Sequence, residues 1–284
     1  MSFIDNIKSR YKSGNIVEKL IYINLAIFIF TLFISVFQDL YKGEMNFIVE
    51  WFSLDDNFSS LLTKPWTIIT YGFLHADFLH ILLNLITLYF IGNLFIEYFT
   101  QKQLLTFYVL GTLFGGILFI LSQSYFPLFE GQTSILVGAS AGISAIFIGI
   151  TTYIPNYQLK LRFIGFVKLW HLAAIWVGLD VLALSGGNAG GHFAHLGGAL
   201  FGFLYVRQAA NKEIKIWDTI SSLFTSKKKP LKTVHKSSKK AKKTTQNTSL
   251  TQQQIDGILD KISKSGYDTL TKAEKEFLFK QGRK

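Results

Sequence analysis

Residues 138–155 read Gly-Ala-Ser-Ala-Gly-Ile-Ser-Ala-Ile-Phe-Ile-Gly-Ile-Thr-Thr-Tyr-Ile-Pro, and two folds compete for the first five of them. Gly138-Ala139-Ser140-Ala141-Gly142 is a literal G-x-S-x-G, the turn that exposes a nucleophilic serine between a strand and a helix in soluble α/β-hydrolases. No strand pattern precedes it, and an apolar stretch follows as far as Pro155, which cannot continue a helix. The soluble hydrolase fold is therefore rejected, and the pentapeptide is read as the opening of an apolar helix. In that setting Gly138 and Gly142 also fit the small-xxx-small pattern that lets two helices approach closely. Taken alone, the serine leaves packing and chemistry both open.

The rest of the chain is of the same kind. Of its 284 residues 49% are hydrophobic, 15% aromatic and only 17% charged, with a mean hydropathy of +0.31. Soluble domains carry roughly a quarter charged residues, so this chain is short of polar surface. Apolar stretches at 18–37, 78–96, 103–122, 138–154, 168–184 and 192–209 predict an all-α membrane protein, a bundle of six transmembrane helices. The fourth is short. From Ser140 to Pro155, about 15 residues at ~1.5 Å each, it covers roughly 22 Å of a ~30 Å hydrocarbon core, so Ser140 starts beneath the outer surface and water must reach it through a cavity. The connection 38–70 is long and holds Phe47, Trp51, Phe52, Phe58 and Trp66, which suits a folded, partly embedded first loop.

Charge sets orientation and tail. Lys8, Arg10, Lys12 and Lys19 precede the first span, Lys160, Arg162 and Lys168 follow the fourth, and nine lysines without an acid occupy 226–244. Positive flanks stay inside, so both termini are expected in the cytoplasm, with 1–17 as a cytoplasmic N-terminus and 18–209 as the membrane domain. The excess that makes the net charge +11 sits in a basic linker at 210–247, expected to meet anionic lipid headgroups. Nucleic acid is not the expected partner, since no aromatic residues interleave the lysines. Residues 214–224 could lie on the membrane surface as an amphipathic helix. Residues 248–284 read as a small helical pair, with capping boxes at Thr251/Gln254 and Thr271/Glu274. There is no cysteine, which excludes disulfides, thiolate zinc sites and thiol nucleophiles.

Polar residues inside apolar spans are costly and mark function. Ala194-His195-Leu196-Gly197-Gly198 continues to Gly202, so His195, Gly198 and Gly202 share one helix flank and a partner helix can come close. His80 and Asn84, four apart, share a face and can both donate hydrogen bonds to a developing oxyanion. A metal site from His75, His80, His192 and His195 is the competing idea; it lacks an H-E-x-x-H and a carboxylate set of suitable spacing. No Asp or Glu is read within the spans near His195, so nothing obvious fixes its tautomer, and a slow serine–histidine dyad is expected rather than a triad.

With these groups in order, the sequence resembles the rhomboid family of intramembrane proteases over residues 18–209. The likeness rests on His80-xxx-Asn84, Gly138-x-Ser140 and Ala194-His195-xx-Gly198-xxx-Gly202. It implies a six-helix rhomboid-like bundle, Ser140 as nucleophile, His195 as base, and an oxyanion hole from His80, Asn84 and the Ser140 backbone N–H. It also implies supporting roles for Trp66 and His75, no cofactor and no metal, and single-span membrane proteins as substrates cut in the bilayer of a bacterial inner membrane. Thr67 replaces the arginine of the family's Trp-Arg signature. Ala141 stands where glycine often follows the serine. Ser144 replaces an aromatic that packs on the histidine, which implies a less well braced His195. Two other functions are weighed: an inactive rhomboid-like protein that binds membrane segments, and a small transporter. The first usually lacks the serine or the histidine, and the second wants two related halves, which are not seen.

Overall fold

The structure, a computed structural model, describes residues 3–41, 47–162, 164–209 and 245–281. It divides into two compact units, Met1–Thr225 and Ser226–Lys284.

In the first unit α1 (Phe3–Ser13) leads to α2 (Ile16–Leu40). A capping box starts α2: the Asn15 side chain accepts from the Glu18 N–H at 3.0 Å and Glu18 accepts from the Asn15 N–H at 2.9 Å. Only a stripe of α2 is buried, running through Val17, Leu20, Asn24, Phe28 and Thr31. Ile29, Phe30, Phe33 and Val36 lie bare on the other faces, so the helix is apolar all round yet packs along one side. That is the behaviour of a helix whose outer face meets lipid.

The first loop is folded. It holds α3 (Phe47–Phe52), β1 (Leu54–Asp55), α4 (Phe58–Thr63) and α5 (Thr67–Thr70). After it come α6 (Phe78–Tyr98), capped by Asp77, and α7 (Gln101–Tyr125), opened by a Thr100/Gln103 capping box. Then follow β2 (Ile135–Leu136) and α8 (Ser140–Tyr153). A hairpin of β3 (Gln158–Leu161) and β4 (Gly165–Lys168) precedes α9 (Leu169–Leu182) and α10 (Ala189–Ala209). Helices thus cover all six apolar stretches of the sequence. By length and hydropathy α2, α6 and α7 are long and apolar enough to cross a membrane, while α8 and α9 are apolar but shorter.

A strand does precede Ser140, contrary to the sequence reading. It is two residues long and pairs antiparallel with β1, Leu54 facing Leu136 and Asp55 facing Ile135. No sheet of the hydrolase kind results; the pair ties the first loop to the segment that leads into α8.

Helix α8 is the core. Ser144, Ala145, Ile146 and Ile150 are fully buried, and α6, α7, α9 and α10 pack around it. Side chains at Gly198 and Gly202 would collide with the carbonyl oxygens of Ala141 and Ala145, so the α8 and α10 backbones touch where the glycine spacing predicts.

In the second unit α11 (Thr245–Ser265) passes straight through Thr251, so the helix start expected there is wrong: the residues before it continue the helix. The Thr271/Glu274 box does form and opens α12 (Lys272–Gln281), with Glu274 accepting from the Thr271 N–H at 2.7 Å and Lys261 pairing with Glu274 at 3.0 Å. The lysine tract 226–244 and the surface helix expected at 214–224 lie wholly outside the described residues.

Candidate active site

Ser140 is the first residue of α8, and Gly138 sets up that turn. Gly138 has φ +133°, a region that L side chains rarely adopt, and its N–H donates to the Tyr71 carbonyl at 3.0 Å. A side chain there would strike His80 Nε2 at 2.9 Å with Ser140 Oγ 3.4 Å away, so His80 and Ser140 border one small space. The first N–H groups of α8 have no acceptor within the helix, and no side chain caps them at Ala139.

Across from Ser140, His195 Nε2 lies 2.7 Å from Ser140 Oγ, a hydrogen-bonded serine–histidine pair. The two residues come from α8 and α10, and the Gly198 and Gly202 contacts are what bring those helices near enough.

The chain does bring an acid to this histidine, which corrects the dyad expectation. Asp180 on α9 accepts from His195 Nδ1 at 2.8 Å and from His192 Nδ1 at 2.7 Å. It is only 6% exposed. The signal was in the sequence: Asp180 is the sole ionisable carboxylate in the fifth apolar stretch, and an ionisable residue in a span is a functional candidate by default.

His195 is also better braced than Ser144 suggests. Trp176 on α9 donates its indole N–H to Ser144 Oγ at 3.1 Å, and its ring lies 6.5 Å from that of His195. The missing aromatic is supplied from a neighbouring helix, and Ser144 anchors it.

Ser140, His195, His80, Asn84, Trp176 and Asn188 line a cavity of about 660 Å³. That volume can accept a peptide segment with its side chains. Asn84 donates one amide hydrogen to the His80 carbonyl at 3.0 Å, and an amide nitrogen carries a second.

The supporting residues divide. His75 is buried edge-on to His80, ring centroids 5.2 Å apart, but does not line the cavity. Burial, and secondly the neighbouring His80, holds its pKa down to about 4. Trp66 is away from the cavity: it stacks on Trp51 at 6.3 Å and donates to the Trp51 carbonyl at 2.8 Å, stapling the first loop. Thr67, in the place of the arginine, is buried and donates to the Lys64 carbonyl at 2.7 Å. His75, His80, His192 and His195 do not form one cluster. Among the described residues only Asp180, His192 and His195 bring ligand atoms within 4.8 Å of one another, and these are hydrogen-bonded together.

Residues 62–211 match the Rhomboid domain. The chain belongs to the rhomboid family. It is an integral membrane protein of that family, and two of the relatives it resembles are named as mitochondrial. It is 32% identical over 51% of its length to RHOMBOID-like protein 12, mitochondrial, of Arabidopsis thaliana, covering 46% of that protein. It is 28% identical over 57% of its length to Presenilin-associated rhomboid-like protein A, mitochondrial, of Danio rerio, covering 41%. To Rhomboid protease GlpG of Yersinia pseudotuberculosis it is 26% identical over 66% of its length, covering 59%. This rhomboid chain thus spans about half the length of the curated relatives it matches. Residues 242–281, which hold α11 and α12, match a separate family of unknown function (DUF6576).

Proposed function

We propose that this rhomboid is an intramembrane serine endopeptidase that cleaves transmembrane segments of single-span membrane proteins. The observation that supports it most is the 2.7 Å contact of His195 Nε2 with Ser140 Oγ at the wall of a cavity that also holds His80 and Asn84. In this reading the six apolar helices cross the bilayer with both termini cytoplasmic, as the Lys and Arg flanks favour. Residues 18–209 form the protease domain, and the lysine-rich linker meets anionic headgroups. No nucleic acid, metal or cofactor takes part in it.

The geometry supports the following roles. Ser140 Oγ attacks the scissile carbonyl carbon while its proton passes to His195 Nε2. The oxygen that gains negative charge faces the Ser140 backbone N–H, His80 and the second amide hydrogen of Asn84, donors that strengthen as the charge develops. The His195 proton then goes to the leaving nitrogen as the C–N bond breaks, and water repeats the sequence to release the acyl group.

Cleavage of a fluorogenic transmembrane peptide by the purified chain in detergent or liposomes tests this. Ser140→Ala and His195→Ala are each expected to abolish it, and the double variant to be no worse than either, because the two act as one unit. Serine-directed probes should label Ser140 alone. Cleavage that persists in Ser140→Ala, with labelling at Ser144 or elsewhere, would refute the assignment.

A further inference from the structure

Three observations around Asp180 go together. Its carboxylate is buried, it is the only acid in α9, and one of its oxygens, Oδ1, receives both His195 Nδ1 at 2.8 Å and His192 Nδ1 at 2.7 Å. His192 and His195 are three apart on α10 and so share the face turned to α9, with rings 5.6 Å apart and nearly perpendicular at 84°. An ionised carboxylate only accepts hydrogen bonds, so both Nδ1 atoms must carry the proton.

We propose that Asp180 is a positioning residue for the peptidase reaction: it holds His195 in the tautomer whose bare Nε2 faces Ser140, and His192 fixes the carboxylate in place. This rests on the serine–histidine reading above. A neutral imidazole carries one proton. Fixing it at Nδ1 leaves the lone pair on Nε2, the atom 2.7 Å from Ser140 Oγ, where a base is required. The opposite tautomer would present an N–H to the serine and could not take its proton. When the serine proton does transfer, the imidazolium lies beside a buried carboxylate, where opposite charges attract strongly. Oδ1 is already held by a second N–H from His192, so it cannot swing toward the cavity. Within the family-like dyad that the sequence suggests, this chain therefore carries a third and a fourth residue in line.

The proposal is tested on the full chain with the fluorogenic transmembrane peptide, using Ser140→Ala, Asp180→Asn, Asp180→Glu and His192→Ala. Asp180→Asn should lower kcat by about 10²- to 10⁴-fold with KM within about threefold, the pattern of a wrong tautomer in an otherwise intact site. Asp180→Glu should restore part of that loss. His192→Ala, which removes only the second hold on the carboxylate, should cost on the order of 3- to 30-fold. The readout that a merely structural role would not move is ¹⁵N-histidine NMR, with the His195 signal assigned by its disappearance in His195→Gln. Wild type should show His195 protonated at Nδ1, and Asp180→Asn should lose that preference. Should Asp180→Asn melt too early to assay, the wild-type spectrum decides alone. An Nε2-protonated His195 in wild type, or Asp180→Asn within about threefold of wild-type kcat, overturns the proposal. Ser140→Ala that still cleaves would instead overturn the serine–histidine reading, and wild type that does not cleave would overturn the peptidase reading, so the failures are separable.

Discussion

Asn84 and His80 stand one helical turn apart on α6, and in the proposed reaction their value lies in charge that exists only in the transition state. Asn84 already spends one amide hydrogen on the His80 carbonyl, which fixes its rotamer and aims the other hydrogen. Asn84→Ala should therefore lower kcat by on the order of 10- to 1000-fold with little change in KM, read from steady-state cleavage kinetics. His75 acts differently, through stability. Its pKa is held near 4 by burial, against the ordinary 6.5 it regains on unfolding. The unfolded chain then binds more protons between those values, so stability is complete above pH 6.5 and is lost as pH falls toward 4. Thermal midpoints in detergent should drop over that window, and His75→Gln should flatten the drop relative to wild type. An identical slope in both would remove His75 as the cause.

At the scale of elements, the Ser140–His195 contact depends on how closely α8 and α10 approach. Ala141 and Ala145 carbonyls fill the space that side chains at Gly198 and Gly202 would need. Gly198→Leu cannot be absorbed by a rotamer change, since the obstacle is backbone, and the helices must separate. Overpacking of this sort costs about 1–3 kcal/mol or more. A separation of about 1 Å between Ser140 and His195 costs on the order of 100-fold in rate. The expected result is a variant that inserts and purifies but cleaves at least tenfold more slowly, with a lower melting midpoint. The β1–β2 pair is a second such device, because it anchors the residues just before Gly138 to the first loop.

At the scale of the whole molecule, every residue of the candidate site belongs to the unit Met1–Thr225. Removing 226–284 should leave cleavage in detergent within about tenfold of wild type, a change of ~1.4 kcal/mol in the barrier. A larger loss would assign the tail a part in the reaction. Topology is open to a direct check, because the chain has no cysteine to confuse labelling. Single cysteines at Ser59 and Ser226 should react oppositely with an impermeant thiol reagent on intact cells, Ser59→Cys labelled and Ser226→Cys protected. The reverse pattern would invert the orientation.

The one-dimensional signals were strong where composition and period carry the physics. Long apolar runs determined the helices, their flanking charges suggested an orientation, and the Gly198/Gly202 spacing located the close helix contact. Ser140, His195, His80 and Asn84 were legible because polar side chains are conspicuous in apolar helices. What the sequence did not determine was which of these side chains meet. Asp180 lies 15 residues from His195 on a different helix, and only the packing of α9 against α10 turns that separation into a 2.8 Å hydrogen bond. Trp176 likewise reaches Ser144 across helices, which undoes the expectation of a poorly braced histidine. Trp66, singled out by motif, staples the first loop through a hydrogen bond to the Trp51 carbonyl that the motif alone does not specify. Local sequence encodes which face of a helix is polar; the angle and depth at which two helices cross are properties of the packed bundle, and hydrogen-bond partners between helices are set there.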